Sequence, residues 1–361
     1  MAETLSKLLE DALHSECDFE AHLSPRMCVV GCGGGGSNSV NRINGIGLEG
    51  VDTIAINTDK FHLSKIKADK RLLIGERTTG GYGTGGDAEL GEKLAYEFSA
   101  EIEALVKAYD IVFISAGMGG GTGTGCAHVV AEFARKHGAV TVALVTIPFD
   151  IERSRFKTAF RGISKLREAA HSTIILDNNR LLKIVPKLPI EQALMVMDQL
   201  IVEVVRGITE TICRTSMINL DFADFRNIMI HGGASTVLYA ENEDAEKVVM
   251  EAITNPLLDI DFDGAAGAMI HITGGPGLSL RKAYEVLNGV TGKLSRNASI
   301  KLGARIDPDM AETIKLMAIV TGVRPPEGRA EERSDCEPFG FQSARSGGNV
   351  CAQPGVTEVL G

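Results

Sequence analysis

Two segments of the sequence have the residue types that bind phosphate through backbone amides. Residues 31–38 carry the spacing GxGxxG, and six of the nine residues in 117–125 are glycine. Glycine lets a ligand approach the backbone closely, and the N-terminus of a following helix offers free N–H groups and a positive dipole end. The second segment also has two threonines, whose hydroxyls can bond phosphate oxygens. We therefore predict two anion-binding glycine loops, each followed by a helix.

Two such loops indicate a ligand with several phosphates. An NAD domain needs only one glycine loop, whereas a nucleoside triphosphate can use two, and the glycine-rich residues 80–87 could enclose a terminal phosphate. The chain has neither GxxxxGKS nor GxxxxGKT, so it lacks the lysine of a P-loop. Backbone N–H groups, helix dipoles and Mg²⁺ are expected to neutralise the phosphates instead.

An NAD-dependent oxidoreductase is the competing prediction. It rests on the GxGxxG spacing and on Asp59, which follows Gly36 by 23 residues, close to where a ribose-binding acid would stand. Against it stand the second glycine loop and the lack of a convincing catalytic His or Tyr in the second half of the chain.

Asp221 and Asp224 have the chemistry to orient and activate a water molecule. They stand three residues apart at the start of a predicted helix, so their carboxylates share one face. The same positions suit a helix N-cap and a negative charge beside the positive helix end. Spacing alone favours this capping interpretation, and it likewise favours solvent exposure for Asp198 on a long predicted helix.

An α/β fold is predicted to position these residues. Apolar runs alternate with segments of helical periodicity, and strands that are apolar throughout indicate a parallel sheet covered on both faces. We predict strands at residues 27–30, 51–56, 111–114, 140–147, 173–176, 235–239, 268–273, 299–306 and 314–320. We predict helices at residues 1–24, 92–109, 127–136, 189–213, 222–229, 243–254 and 279–287.

The composition is typical of a globular protein. Hydrophobic residues make up 44% of the chain and charged residues 23%, and the net charge of −10 argues against broad binding to nucleic acid or anionic membranes. No stretch approaches the roughly 18–20 apolar residues of a membrane helix, and the N-terminus lacks the layout of a signal peptide. The seven cysteines form no CxxC pair. We therefore expect a cytoplasmic protein without a disulfide framework or a zinc site.

Beyond these patterns, the sequence resembles the tubulin/FtsZ family, and within it the FtsZ proteins. The resemblance runs from about residue 27 to 323 and is strongest in GMGGGTGTG at 117–125 and NLDFAD at 219–224. It implies a Rossmann-like parallel-sheet GTPase domain over residues 26–188, a long core helix over 189–213 and a second, smaller α/β domain over 214–322. Residues 1–25 would form an N-terminal extension, and the apolar-poor residues 323–361 a disordered tail.

The function implied by the resemblance is that of a GTP-dependent cytoskeletal GTPase. Such a protein binds GTP or GDP with Mg²⁺, forms head-to-tail filaments of itself and works with division adaptor proteins at the cytoplasmic division site. It needs no nucleic acid and does not insert into the membrane. Asp221 and Asp224 would enter the site of the next subunit and polarise the attacking water, while Asn219 would touch that subunit's phosphates.

The resemblance also implies the residues that contact nucleotide. Asn38 and Asp198 would recognise guanine, because a carboxylate can accept both N1–H and the exocyclic amine, and Glu152, Arg155 and Asn178 would contact the ribose. The full set is Gly33, Gly34, Gly35, Gly36, Ser37, Asn38, Asn57, Asp59, Gly83, Thr84, Gly117, Met118, Gly119, Gly120, Gly121, Thr122, Gly123, Thr124, Gly125, Glu152, Arg155, Asn178, Leu194 and Asp198.

Several positions depart from the FtsZ pattern. Leu194 stands where FtsZ usually has a phenylalanine that stacks on guanine, Asp87 replaces an asparagine beside the γ-phosphate, and Asn179 replaces an acidic residue. The spacing from Glu152 to Arg155 is one residue shorter than usual. These departures indicate a divergent, archaeal-type FtsZ, and they support a second alternative: a regulatory paralogue that binds nucleotide but hydrolyses it poorly.

Overall fold

Strands and helices alternate along most of the chain. The computed structural model describes residues 24–213, 220–230, 233–254 and 262–323, apart from the side chains of Lys183 and Ile184. The strands are β1 (Met27–Cys32), β2 (Val51–Asn57), β3 (Lys70–Leu73), β4 (Ile111–Gly117), β5 (Val140–Ile147), β6 (Ser172–Asp177), β7 (Gly233–Asn242), β8 (Gly267–Gly274), β9 (Ser299–Ile306) and β10 (Ile314–Thr321). The helices are α1 (Gly33–Ile46), α2 (Lys60–Lys65), α3 (Glu76–Thr79), α4 (Ala88–Glu97), α5 (Ser99–Val106), α6 (Gly121–Lys136), α7 (Arg153–Ala169), α8 (Leu181–Ile184), α9 (Ile190–Cys213), α10 (Phe222–Ile230), α11 (Ala245–Ile253) and α12 (Leu280–Thr291).

One ten-stranded sheet runs through the described residues in the order β3-β2-β1-β4-β5-β6-β7-β10-β8-β9. Every neighbouring pair from β3 to β7 is parallel, which confirms the predicted α/β fold with its parallel sheet. Beyond β7 the sheet is mixed, because β10 runs antiparallel to both β7 and β8. Strand order reverses at β1, and in such sheets ligands bind at the carboxyl ends of the strands beside the reversal.

Helices cover both faces of the parallel half. Phe113 packs in the same cluster as residues of α1 and α9, whereas its neighbour Ile114 packs with residues of α4, α6 and α7 on the opposite face. Successive strand residues point to opposite faces, so a strand buried on both sides is apolar at most positions. This explains why residues 111–114 of β4 are an unbroken apolar run in the sequence.

Several elements differ from the sequence-based predictions, and three of them show why. The helix predicted at 92–109 begins earlier and is two helices, α4 and α5, which meet at Phe98 with a non-helical backbone (φ −101°, ψ 26°). Helix α7 was not predicted, because charged residues dominate its sequence and only a narrow stripe is buried. Strand β3 was also missed, since it is a four-residue edge strand without an apolar run.

Several predictions fall on residues outside the described ranges. The N-terminal extension up to residue 23, Asn219 and the tail from residue 324 are among them. Within the described ranges, every helix is too short or too polar to span a membrane.

Candidate functional site

Each glycine-rich segment includes the first turn of a helix, and in the second a short turn at residues 118–120 precedes that helix. Helix α1 begins at Gly33 directly after β1, and α6 begins at Gly121, six residues before the predicted start at Ala127. The predicted loops extended too far because glycine has low intrinsic helix propensity, which packing overrides here. The consequence is that backbone N–H groups at both helix starts lie within the glycine-rich sequence.

Close backbone packing requires several of these glycines. A Cβ atom at Gly36 would lie 2.1 Å from the carbonyl oxygen of Ser115, and one at Gly125 would lie 2.4 Å from the carbonyl oxygen of Ala88. At Gly34 nothing lies within 4 Å of the added atom, so this side of the helix start is open. Gly36 and Gly125 therefore let α1 approach β4 and α6 approach α4, while Gly34 faces free space.

The N-termini of α1 and α6 converge at the carboxyl edge of the sheet. A Cβ atom at Gly33 would lie 2.6 Å from the backbone nitrogen of Gly123, and one at Gly35 would lie 3.2 Å from that of Gly117. Neither helix has a side-chain cap or an acidic residue in its first turn. Uncapped N-termini leave N–H groups unsatisfied and concentrate positive charge. Two of them side by side offer backbone donors and positive dipole ends that suit an anion.

The hydroxyls predicted to bind phosphate are engaged within the protein or buried. Thr122 shares a hydrogen bond of 2.7 Å with Thr58, and Thr124 accepts one of 2.8 Å from the backbone N–H of Gly119. Ser37 is fully buried, and its hydroxyl has no hydrogen-bond partner among the described residues. Their roles as phosphate ligands stay predictions.

The third glycine-rich segment lies against the turn after β2. The backbone N–H of Gly83 donates to the carbonyl of Thr58, and Thr84 contacts the start of α6 so closely that a Cβ at Gly121 would lie 2.0 Å from its hydroxyl. Asp87 caps α4, its Oδ1 accepting from the backbone N–H groups of the first turn at 3.0 Å. The negative charge of Asp87 thus lies at the positive end of the α4 dipole.

A cleft beside the helix starts brings together residues predicted to recognise base and ribose. Ser39 donates a hydrogen bond of 2.6 Å to Oδ1 of Asp198. Burial raises the pKa of the Asp198 carboxyl, although the bond from Ser39 and the charge of Arg42 act in the opposite direction. The cleft is lined by Gly35, Asn38, Ser39, Ser115, Ala116, Gly117, Thr146, Asn178, Leu194, Met197, Asp198 and Ile201.

Of the three predicted ribose contacts, only Asn178 lines this cleft. Its Oδ1 is buried and has no hydrogen-bond partner in the described part of the chain, so it is an available acceptor. Glu152 and Arg155 instead form an ion pair with each other at 2.6 Å. Arg155 lies beside the glycine segment, because a Cβ at Gly119 would lie 2.9 Å from its Cβ.

Asp221 and Asp224 lie away from this cleft, at the start of α10. Oδ1 of Asp221 accepts a hydrogen bond of 2.6 Å from the backbone N–H of Asp224, so Asp221 caps the helix as its spacing suggested. The carboxylate of Asp224 forms an ion pair of 2.6 Å with Lys301 of β9. Sequence reasoning missed Lys301, since only the fold brings β9 beside α10. Within one chain, the two aspartates and the glycine helix starts form separate sites.

A larger cavity, about 530 Å³ in volume, lies between α4, α6 and α7. In this cavity Lys165 donates to Glu92, and Nε2 of His128 lies 3.2 Å from the same carboxylate. Its lining has no convergent helix N-termini, unlike the cleft beside Asp198. Among the described residues, no group of three or more His, Cys, Asp or Glu side chains is arranged to hold a metal ion.

Comparison with known proteins gives matches over nearly the whole described chain. The family model "Tubulin/FtsZ family, GTPase domain" matches residues 26–186, and "FtsZ family, C-terminal domain" matches residues 228–324. Cell division protein FtsZ 2 of Methanocaldococcus jannaschii is 48% identical over 333 residues, which are 89% of this chain and 87% of the relative. Cell division protein FtsZ 2 of Halobacterium salinarum is 49% identical over 303 residues, 83% of this chain and 77% of the relative.

Solved structures of related proteins share the fold of this chain. An empty FtsZ dimer from M. jannaschii superposes with a TM-score of 0.76 at 40% identity, covering 88% of this chain and 92% of that one. A protofilament of CetZ2 from Haloferax volcanii with bound GTPγS reaches a TM-score of 0.73 at 20% identity, covering 86% and 98%, which shows a shared fold.

Proposed function

The chain belongs to the tubulin/FtsZ family, and on that premise we propose that it is a self-assembling GTPase of cell division that hydrolyses GTP between subunits. The family's GTPase domain supports guanine-nucleotide binding and GTPase activity in general. The archaeal relatives are cell division proteins. We propose residues 26–188 as the nucleotide-binding domain, 189–213 as the core helix and 214–322 as the domain that completes a neighbour's site.

The convergence of two uncapped helix N-termini beside the half-buried carboxylate of Asp198 carries this proposal. The helix starts of α1 and α6 suit the phosphates, and Asp198 in the adjoining cleft suits the N1–H and 2-amine of guanine. The free Oδ1 of Asn178 suits a ribose hydroxyl. Mg²⁺ would neutralise part of the phosphate charge. We expect phosphate oxygens to be its main ligands, because Mg²⁺ is rarely coordinated by protein groups alone.

The separation of Asp221 and Asp224 from the cleft supports hydrolysis between subunits. A neighbour placed head to tail would bring these carboxylates to the exposed phosphates, where they would orient the attacking water. Phosphoryl transfer depends mainly on positioning and charge neutralisation. One subunit can therefore hold the phosphates while its neighbour positions the water. Heterologous contacts of this kind produce open filaments. The dimer known for the M. jannaschii FtsZ supports self-association.

Asp224→Asn tests the proposal by separating binding from turnover. The variant should bind GTP nearly as well as the wild type, because Asp224 does not line the cleft, and its phosphate release should fall to background. Asp244→Asn is the matched control: Asp244 also stands at a helix start, where it caps α11, and the variant should hydrolyse GTP normally. Loss of GTP binding in Asp224→Asn would contradict hydrolysis between subunits.

A regulatory paralogue with weak hydrolysis is the second candidate. The ion pair between Asp224 and Lys301 favours it, because a paired carboxylate is a weaker partner for water. Background phosphate release from the wild type at every protein concentration, with GTP still bound, would support this candidate. The NAD-dependent oxidoreductase finds no support, since the matching family is one of GTPases.

We propose that the protein acts in the cytoplasm at the division site and binds adaptor proteins there.

A further inference from the structure

We propose that His62 is a positioning residue for guanine recognition that acts through Asn38; this inference rests on the proposed GTP site. His62 lies on α2, with its imidazole ring between two asparagine side chains. Its Nδ1 lies 3.3 Å from Nδ2 of Asn57, and its Nε2 lies 3.1 Å from Oδ1 of Asn38. Asn38 lines the same cleft as Asp198.

Backbone hydrogen bonds fix the direction of this relay. Asn57 is only 3% exposed, and its Oδ1 accepts hydrogen bonds from the backbone N–H of Thr58 at 2.9 Å and of Asp59 at 3.3 Å. With the oxygen so committed, the amide presents its NH₂ group to His62. Nδ1 of His62 must accept that hydrogen bond, so the proton of the neutral ring lies on Nε2.

The same logic fixes the amide of Asn38. Nε2–H of His62 donates to Oδ1 of Asn38, which leaves the Nδ2 donors on the far side of the amide from His62. Guanine offers O6 and N7 as acceptors, whereas adenine carries an amine in place of O6. A fixed donor at Asn38 therefore favours guanine over adenine, and an amide free to flip would lose this preference. The selection at O6 is separate from that of Asp198, which suits N1–H and the 2-amine.

Displacement of a fluorescent GDP analogue by GTP, ITP and ATP tests this role on the full chain. His62→Phe keeps an aromatic ring but cannot donate a hydrogen bond to Asn38. The Kd for GTP should therefore rise about fivefold, which corresponds to the loss of one net hydrogen bond. ITP keeps O6 and N7 and lacks only the 2-amine, so its Kd should rise by the same factor. The Kd for ATP should not change.

His62→Gln is the matched control, because its amide can still donate to Asn38 and should restore GTP affinity. Equal weakening of all three nucleotides in His62→Phe would mean that His62 serves only the fold, and unchanged GTP affinity would remove it from recognition. If the wild type still prefers GTP over ATP, either result overturns the role of His62 and leaves the proposed function intact. A wild type with no preference for GTP over ATP would refute the proposed function itself.

Discussion

The proposed guanine contact of Asp198 predicts that GTP binding is sensitive to acid. Burial raises the pKa of its carboxyl, so the group takes up a proton at a higher pH than an exposed aspartate does. The protonated form loses an acceptor for the N1–H and 2-amine of guanine. The Kd for GTP, measured by titration from neutral pH downward, should therefore rise as the pH falls.

Asp198→Asn separates this effect from titration of the nucleotide phosphates. The variant should bind GTP at least about tenfold more weakly at neutral pH, since hydrogen bonds to a charged acceptor are lost. Its Kd should then change with pH only as far as the phosphates require. Identical pH profiles for the two proteins would show that Asp198 does not contact the base.

Lys301 is expected to orient the carboxylate of Asp224. Lys301→Met keeps a long side chain but removes the 2.6 Å ion pair, so the carboxylate becomes mobile. Loss of orientation should lower kcat severalfold and leave KM for GTP unchanged. Steady-state phosphate release measures both, with the exposed Lys247 of α11 changed to Met as the control. A rise in kcat would show that the ion pair restrains Asp224 instead.

Single residues were predicted unevenly from the sequence. The cap at Asp221 follows from local spacing, and the structure shows it. Lys301 and His62 could not be identified, because their partners Asp224 and Asn38 are brought to them by the fold and not by sequence proximity. Roles that depend on one ion pair or one amide orientation leave little trace in a single sequence.

At the scale of elements, the start of α1 depends on glycine for packing. Gly36→Ala would place a Cβ 2.1 Å from the carbonyl oxygen of Ser115, which forces the helix away from β4. We expect a loss of about 1–3 kcal/mol in the free energy of unfolding, typical of overpacking. Gly45→Ala in the same helix meets nothing within 4 Å and should stabilise by up to about 1 kcal/mol. Denaturant unfolding of both variants measures this, and equal stabilities would contradict the packing argument.

Most strands could be predicted, whereas helix boundaries in the site could not. Strands buried on both faces are apolar at most positions, as β4 and β5 are, and this pattern is visible in the sequence. The starts of α1 and α6 were hidden by their glycines, whose low helix propensity predicts a loop. The sequence thus placed both glycine-rich segments at the sheet edge but assigned their helical residues to loops.

At the scale of the whole molecule, the sequence could not show how the two halves join. It predicted two α/β parts, but the continuous sheet depends on three residue pairs between β6 and β7, which only tertiary structure sets. The fold leaves Asp221 and Asp224 outside the cleft of their own chain. An active site shared between subunits reconciles this separation with GTP hydrolysis.

Phosphate release from GTP with Mg²⁺, measured across a range of protein concentrations, tests the shared site most directly. The account predicts turnover per molecule near zero in dilute protein and a rise above a threshold concentration, because each site needs the carboxylates of a neighbour. Light scattering should rise at the same threshold. Turnover per molecule that stays constant down to the lowest concentration would place hydrolysis within one chain and contradict the account.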